Sequence, residues 1–214
     1  MTSSPERVRH PIFARMYQRI AAAAEQAGAA EHRDRLLAGL AGRVVELGAG
    51  NGMNFGHYPT TVTEVVAVEP ESYLRARATE AAAAAPVPIH VVDGLADSLP
   101  AEDASFDAGV ASLVLCSVPD QASALAELRR VIRPGGELRF YEHVRAHDAD
   151  AARGQDRTDR YWPRFSGGCH PNRDTPAAIE AAGFEVEHID RFKFRPVFFL
   201  KAIEPHVIGR ARRT

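Results

Sequence analysis

The sequence contains little cysteine, no long apolar run and no large excess of either charge. Two cysteines among 214 residues are too few for a disulfide framework, which favours a reducing cytoplasm. No apolar run approaches the roughly 18 residues that span a bilayer, and the first residues, MTSSPERVRH, lack the apolar segment of a signal peptide. The formal net charge of −2 argues against a general nucleic-acid binder. We therefore expect a soluble, cytoplasmic protein with no nucleic-acid partner and no integral membrane association.

After residue 42, near-continuous apolar runs alternate with helical patterns. This alternation predicts a doubly wound, Rossmann-like α/β sheet with helices on both faces. Seven strands are expected, at residues 43–47, 63–69, 88–93, 107–115, 136–144, 184–194 and 205–211. The last two are interpreted as a hairpin-like pair. We therefore expect a mostly parallel seven-stranded sheet with one antiparallel strand near its edge.

Boundary residues mark two of the predicted helices. Asp120 is placed to cap a helix over residues 121–132, and the Pro-Gly-Gly sequence that follows ends it. A later helix has Thr175 as its expected cap and Pro176 at its first position. The amphipathic spacing in PIFARMYQRI, residues 11–20, predicts a further helix ahead of the first strand.

A glycine-rich loop follows the first predicted strand in VVELGAGNG, residues 44–52. A dinucleotide fingerprint would place its third glycine at position 53, which is Met53 here. Glu46, just before the loop, would repel a pyrophosphate on the following helix N-terminus, which argues against a dinucleotide-dependent reductase. S-adenosylmethionine carries an ammonium and a sulfonium in its methionine part, so a nearby carboxylate favours it. Glu69 ends the second predicted strand, where an acidic side chain accepts hydrogen bonds from both ribose hydroxyls.

Four motifs together, VVELGAGNG, VAVEP, ASFDAGVASLVLCSV and RRVIRPGGELRF, resemble those of class I S-adenosylmethionine-dependent methyltransferases over residues 10–211. The resemblance implies S-adenosylmethionine as cofactor and S-adenosylhomocysteine as product. It implies that the glycine loop packs against the methionine and ribose, Glu69 holds the ribose diol and Pro70 packs on the adenine. Many relatives have an acid where this chain has Leu95, so backbone groups are expected to bond the adenine amine. The residues expected at the cofactor are Glu46, Gly48, Ala49, Gly50, Asn51, Gly52, Asn54, Glu69, Pro70, Gly94, Leu95, Ala96, Ser112 and Leu113.

A narrower resemblance concerns the methyl acceptor. The segments NGMNFGHYP, LVLCSV, EHV, GGCHPNRD and PHVIGRA resemble a subgroup that includes the microsomal alkyl-thiol methyltransferases. Microsomal members carry an N-terminal membrane anchor, and this sequence shows no such segment. The resemblance implies methyl transfer to a small-molecule thiol or dithiol. An N-, O- or C-methyltransferase of another small metabolite or lipid, and a non-catalytic S-adenosylmethionine-binding protein, are the alternatives.

The length suits a single domain, residues 1–214, as a monomer or homodimer. Helices at about 5–40 are expected to form an N-terminal lid over a cofactor-binding core at 42–145. Residues 146–172 are charged and irregular in pattern and are expected to be an insert at the acceptor site. The last helix and strands occupy 173–211.

The catalytic candidates are groups that could take a proton from the acceptor. A thiol with a pKa of about 8.5 is only partly ionised at neutral pH, so a base that titrates near pH 7 would help. His143, at the end of the fifth predicted strand, and His170, in the glycine-rich segment, are the candidates. Tyr17 could point onto the cofactor. Each of these residues has an alternative structural role, in backbone hydrogen bonding or in the core.

Four residues are expected to line the acceptor pocket: Phe13, Cys116, Trp162 and Phe165. A plain core role for the two aromatic residues of the insert is the alternative. Cys116 and Cys169 are far apart in the sequence and have no accompanying ligand cluster in its pattern, so no metal site is expected. Cys116 is instead interpreted as a small buried residue near the cofactor, and Cys169 as packing in the glycine-rich segment.

Overall fold

The computed structural model describes residues 20–195 and 201–214. Their strands form one seven-stranded sheet. The strands are β1 (Gly42–Leu47), β2 (Val62–Val68), β3 (Ile89–Val92), β4 (Phe106–Ser112), β5 (Ile132–His143), β6 (Phe184–Lys193) and β7 (Pro205–Arg213). Their order across the sheet is β3-β2-β1-β4-β5-β7-β6. The expected doubly wound α/β architecture is confirmed.

Only β7 runs against its neighbours in this sheet. It lies between β5 and β6 and pairs antiparallel with both, while the β1, β2, β3, β4 and β5 pairings are all parallel. The expected antiparallel pair formed by the last two strands is therefore confirmed. β2 and β3 lie on one side of β1, and β4 lies on the other side of β1. Such a reversal of strand order opens a crevice at the carboxyl ends of the strands, where open α/β sheets bind ligands.

Helices surround the sheet. They are α1 (Ala30–Leu37), α2 (Ser72–Ala82), α3 (Gln121–Val131), α4 (Ala149–Asp159) and α5 (Thr175–Ala181). The segment before α1 (Glu25–Ala29) is kinked at Gly28, where φ is 111°. Asp120 caps α3 as predicted, because its carboxylate accepts the N–H of Ala122 at 3.0 Å. Within the described residues, no helix has both the length and the apolar character needed to cross a membrane. The expected lid residues Phe13 and Tyr17 lie outside the described part of the chain.

Buried side chains form a core on each face of the sheet. Val45 and Leu47 belong to the cluster that contains Leu125 of α3, whereas Val44 belongs to the cluster that contains Leu36 of α1. Successive residues of β1 therefore point to opposite faces, as the two-residue period of a strand requires. Both faces are covered, which explains why the strands are apolar almost throughout.

The fourth strand is shorter than its apolar run predicts. It was expected to extend to Leu115, but β4 ends at Ser112 and Leu113 turns into the left-handed region with φ of 56°. The N–H groups of the next three residues, Val114 to Cys116, are bound by the side-chain carboxylate of Glu142 instead of by backbone carbonyls of a neighbouring strand. The apolar pattern of the sequence does not show that a side-chain carboxylate will take these N–H groups.

Other elements also differ from the sequence-based expectation. The cap of α5 is Asp174, whose carboxylate accepts the N–H of Ala177 at 3.3 Å. Thr175 instead accepts a hydrogen bond from Gln121 at 3.0 Å. β5 begins at Ile132, directly after α3, and not at Gly136. The insert, expected to be irregular, contains the eleven-residue helix α4.

Gly209→Ala tests the close approach of β7 to its neighbours. A Cβ atom at Gly209 would lie 2.6 Å from the carbonyl oxygen of His188 and against the Phe140 ring, so strands would have to move apart. We expect the free energy of unfolding, measured by urea denaturation, to fall by about 1–3 kcal/mol. Gly154→Ala, in α4, is the matched control because nothing lies within 4 Å of the added carbon. Equal stability loss in both variants would contradict the packing argument.

Candidate cofactor and acceptor site

The carboxyl ends of four strands, β1, β2, β4 and β5, lie side by side. We call this end of the sheet the cofactor edge. Leu47 of β1 pairs with Val68 of β2 and with Ala111 of β4, and Ser112 of β4 pairs with Tyr141 of β5. The residues that directly follow these strands are therefore neighbours. The glycine loop, Glu69, the segment after Ser112 and the end of β5 all come from this edge.

The glycine loop exposes its backbone because its glycines adopt conformations that side chains disfavour. Gly48, Gly50 and Gly52 have φ values of 63°, 58° and 83°. The missing side chain at Gly48 also lets Val114 approach, since a Cβ there would lie 2.9 Å from the Cβ of Val114. The loop after β1 and the segment after β4 are thus packed directly on each other.

Glu69 is buried beside this loop, with 5% of its surface exposed. Its carboxylate accepts the N–H of Gly50 at 2.8 Å and the N–H of Glu71 at 2.9 Å. Burial raises the pKa of Glu69 to about 7, and the two N–H donors oppose that rise. Each carboxylate oxygen has two lone pairs, so both oxygens retain the capacity to accept a further hydrogen bond.

Glu46 is bound from two sides by the segment that follows the glycine loop. It accepts hydrogen bonds from the side-chain amide of Asn54 at 2.8 Å and from the Tyr58 hydroxyl at 2.7 Å. Arg33 of α1 donates in turn to the Asn54 oxygen at 2.7 Å. Burial raises the pKa of Glu46 to about 7 against these hydrogen bonds. Tyr58 and Arg33 were not predicted as site residues, and their only sequence signal is that Tyr58 lies in the NGMNFGHYP segment.

Two buried polar atoms at this edge lack partners. The side-chain oxygens of Asn51 and Ser112 have no hydrogen-bond partner within residues 20–195 and 201–214. Buried polar atoms are normally paired, and strained backbone such as that of Leu113 concentrates where ligands bind. Unpaired acceptors, a bare glycine loop and two buried carboxylates together suit a ligand that carries hydroxyl and cationic groups.

The remaining expected cofactor residues lie at the ends of the adjacent strands. Pro70 follows Glu69 after β2, and residues 94–96 follow β3 in a half-buried turn in which Leu95 bridges to Ser98. A Cβ at Gly94 would lie 2.9 Å from both Pro100 and Val68, so the backbone approaches closely there. The sheet order brings β3, β2, β1 and β4 side by side, and with them the residues expected to bind the cofactor.

Glu142 holds the segment after β4 in place. Its fully buried carboxylate accepts the N–H groups of Val114 at 3.0 Å, Leu115 at 2.8 Å and Cys116 at 3.0 Å. Burial raises the pKa of Glu142, and these three donors oppose the rise because they favour the ionised form. The role of Glu142 was not predicted. Its only sequence signals are that it lies in the EHV segment and that its acidic side chain falls within β5.

Residues 167–173 pack on the segment that follows β4. The backbone N–H of His170 donates to the carbonyl of Cys116 at 2.7 Å, and Arg173 donates to the Leu115 carbonyl at 2.7 Å. A Cβ at Gly168, where φ is 91°, would lie 2.6 Å from the Ser117 oxygen. Contacts this close fix the position of Cys169 relative to Cys116.

The two cysteines and His143 form a three-membered cluster. The sulfur atoms of Cys116 and Cys169 are 3.7 Å apart, and each lies 3.5 Å from Nδ1 of His143. Both cysteines are buried and free, as predicted. The contact with Cys169 and burial raise the pKa of the Cys116 thiol, which disfavours its action as a free thiolate nucleophile. The sequence pattern gave the cysteines no accompanying histidine or acid, whereas the fold brings His143 to them.

His170 forms a separate pair with the insert. Its Nδ1 lies 2.9 Å from the carboxylate of Asp159, at the end of α4. The buried Gln155 of the same helix donates to the carbonyls of Val144 and Pro171 at 3.0 and 2.8 Å, which ties α4 to the carboxyl end of β5. Both histidines thus contact the segment that follows β4. The ring of His143 lies against the two cysteines, whereas the ring of His170 pairs with Asp159.

The aromatic residues of the insert differ from each other in their exposure. Trp162 is half-buried, and its indole N–H has no partner among the described residues. Phe165 is 67% exposed, so it does not wall an enclosed pocket formed by residues 20–195 and 201–214. Phe13, which was also expected to line the acceptor pocket, lies outside that part of the chain.

Comparisons with known proteins bear on this arrangement. A family model described as "Methyltransferase domain" matches residues 45–140. The chain is 34% identical to the thiol S-methyltransferase TMT1B of Homo sapiens, over 82% of this chain and 73% of that protein. It is 32% identical to the thiol S-methyltransferase TMT1A of Homo sapiens, over 78% of this chain and 69% of that protein. A solved S-adenosylmethionine-dependent methyltransferase of Thermotoga maritima shares the fold with a TM-score of 0.70 at 23% identity, over 95% of this chain and 98% of that one.

The chain belongs to the class I S-adenosylmethionine-dependent methyltransferases. Both levels of the resemblance are therefore confirmed, the family and the similarity to thiol S-methyltransferases. The cofactor of this methyltransferase is S-adenosylmethionine. Three features of the described residues fit this cofactor: the glycine loop, Glu69, and the side-chain oxygens of Asn51 and Ser112, which have no partner there.

Glu142→Gln tests the anchoring of the segment after β4. In the variant, one of the two carboxylate oxygens becomes an NH₂ group, which cannot accept a hydrogen bond from a backbone N–H. At least one of the three hydrogen bonds to this buried side chain is therefore lost. We expect the free energy of unfolding in urea to fall by about 2–3 kcal/mol. The Cys116 thiol should also react faster with an aromatic disulfide reagent. Glu185→Gln, at an exposed position of β6, is the control, and identical behaviour of the two variants would contradict the role of Glu142.

Proposed function

We propose that this methyltransferase transfers the methyl group of S-adenosylmethionine to the thiol of a small molecule. The observation that carries the proposal is the extent of the similarity to the human thiol S-methyltransferase. The match runs over 185 residues and is too long to be confined to the cofactor-binding residues 45–140. It therefore includes sequence outside the part that methyltransferases with different acceptors share.

The cofactor is held, in this proposal, by groups from four strand ends. Glu69 accepts hydrogen bonds from the ribose hydroxyls, and the exposed backbone of the glycine loop packs against the ribose and methionine parts. Ser112 and Asn51 pair their buried oxygens with polar groups of the cofactor. Glu46 lies beneath the loop and adds negative potential near the cationic methionine part. Bound S-adenosylmethionine supplies an electrophilic methyl group.

The acceptor enters beside the insert, in this proposal. His170, paired with Asp159, takes the proton of the acceptor thiol, because that pair orients the ring and leaves its other nitrogen for the substrate. Nδ1 of His143 is engaged with the two cysteines, so we assign the base role to His170 and a positioning role to His143. The insert at 146–172 and the N-terminal helices form the acceptor pocket and lid.

Cofactor affinity is expected to fall as the pH drops below 7. Ribose hydroxyls donate to an ionised carboxylate, and in the free protein the pKa of Glu69 is about 7. Binding therefore lowers that pKa, and affinity is highest above it and is lost as Glu69 becomes protonated. We expect S-adenosylhomocysteine to bind about tenfold more weakly at pH 6 than at pH 8, measured by calorimetry.

Two variants test whether this dependence comes from Glu69. Glu69→Gln should bind weakly at both pH values and show a flatter profile. Glu80→Gln, an exposed residue of α2, should keep the wild-type profile. Equal wild-type affinity at pH 6 and pH 8 would show that the Glu69 carboxylate does not hold the ribose.

Acceptor specificity is tested with matched pairs of small molecules. Each pair has one carbon skeleton and differs in a thiol or a hydroxyl, and catechols and amines are added as further classes. We expect S-adenosylhomocysteine release with the thiols and little with their hydroxyl partners, because a thiolate forms readily at neutral pH. Methylation of amines or hydroxyls alone would refute the thiol assignment. Cofactor binding without methylation of any class would favour a binding protein.

A further inference from the structure

We infer that Cys116, His143 and Cys169 form a zinc-binding site with one open coordination position. The site belongs to the segment that joins the cofactor edge to the acceptor side of the protein. The existence of the site does not depend on the identity of the acceptor. Its proposed role in binding the acceptor thiol does rest on the proposed function.

The spacing of the three ligand atoms matches tetrahedral coordination. Zinc–sulfur bonds of about 2.3 Å and a zinc–nitrogen bond of about 2.0 Å place the ligand atoms about 3.8 Å apart for sulfur and sulfur, and about 3.5 Å apart for sulfur and nitrogen. The observed separations are 3.7 Å between the sulfur atoms and 3.5 Å from each sulfur to Nδ1 of His143. All three edges of the triangle agree, so one ion placed just above the plane of the three atoms lies at bonding distance from each of them.

The chemistry of the ligands also favours zinc. Two thiolates and one imidazole are soft and borderline ligands that bind zinc in preference to magnesium or calcium, which take oxygen ligands. Nearby, the Ser117 hydroxyl lies 3.5 Å from the Cys116 sulfur and can donate to a thiolate there. A second shell of this kind commonly orients metal ligands.

The ligands are fixed by contacts that do not involve each other. Cys116 is held through its backbone N–H by Glu142 and through its carbonyl by the N–H of His170. Cys169 is held because Gly168 packs on the Ser117 carbonyl. His143 directly follows Glu142 in β5. The backbone therefore brings the three ligands together, and this prearrangement lowers the ordering cost of binding an ion.

An open position gives the ion a role in the proposed reaction. Within residues 20–195 and 201–214, the cluster contains only these three ligand atoms. Catalytic zinc sites have three protein ligands and a fourth position for water or substrate. Cys116 lies four positions after Ser112, so their Cα atoms lie within about 14 Å even in an extended chain. Cys116 is thus close to the strand ends that are expected to bind the cofactor.

The acceptor thiol occupies the open position as a thiolate, and its proton passes to His170 or to solvent. The thiolate sulfur then forms a bond to the methyl carbon of S-adenosylmethionine. The bond from that carbon to the sulfonium sulfur breaks, and its electron pair stays on the sulfur of S-adenosylhomocysteine. The product is a neutral thioether, a weaker zinc ligand than the thiolate, and it leaves.

The first test uses the wild-type protein. We expect protein purified under reducing conditions without chelator to contain about one zinc per chain by mass spectrometry of metals. After removal of the zinc, added cobalt(II) should give the intense near-ultraviolet absorption of a thiolate–cobalt bond. Less than about a tenth of an equivalent of zinc and no such band would overturn the proposal. A Cys116–Cys169 disulfide in freshly reduced protein would also overturn it.

Three variants identify the ligands. Cys116→Ser, Cys169→Ser and His143→Gln should each lower zinc affinity at least about tenfold in competition with a chelator. His170→Gln is the matched control, because this histidine is next to Cys169 in the chain but pairs with Asp159. It should keep its zinc. Equal zinc loss in the control and the ligand variants would overturn the ligand assignment. Calorimetry with S-adenosylhomocysteine shows which variants are folded, and the wild-type cobalt spectrum is decisive if none is.

The same preparations separate this inference from the proposed function. Thiol methylation that is abolished by zinc removal and restored by zinc supports both. Thiol methylation by metal-free protein at the wild-type rate overturns the role of zinc and leaves the thiol assignment standing. Bound zinc with methylation of amines or hydroxyls alone refutes the thiol assignment and supports the metal site itself.

Discussion

The buried carboxylate of Glu142 fixes the geometry on which both halves of the site depend. Its side chain replaces the backbone carbonyls of a neighbouring strand as the acceptor for three successive N–H groups, so β4 ends at Ser112 and the chain turns there. One end of the turned segment carries the Ser112 hydroxyl, which has no partner among the described residues, at the cofactor edge. The other end carries Cys116 against His143. A carboxylate can do this because it concentrates about four acceptor positions in one small group.

The fold and the cofactor were predictable because their signals are local in the sequence. Apolar runs report strands that are buried on both faces, and the run that contains Val44 and Val45 became a strand whose successive side chains reach opposite cores. The glycine loop is equally local, since three glycines at alternate positions mark backbone with positive φ. Glu46 and Glu69 could be located from their spacing to that loop. Their hydrogen bonds to Tyr58 and to Glu71 could not.

The acceptor side was less predictable because its contacts join residues that are distant in sequence. Cys116, His143 and Cys169 meet only after β4, β5 and the segment before α5 have packed together. No periodicity or spacing reports such a meeting, so the sequence predicted no ligand cluster. Glu142 was hidden for a related reason. An acidic residue in a strand gives no indication of which N–H groups it will bind.

The cofactor loop, the segment after β4 and the cysteine cluster form one connected unit, since Val114 packs on Gly48 and Cys116 lies two residues further along. The most direct test is a crystal structure of the protein with S-adenosylhomocysteine and a thiol acceptor bound. The account predicts ribose hydroxyls on Glu69, and an acceptor sulfur between the cofactor sulfur and the cluster of Cys116 and its partners. An acceptor whose sulfur points away from both the cofactor and the cluster would contradict it.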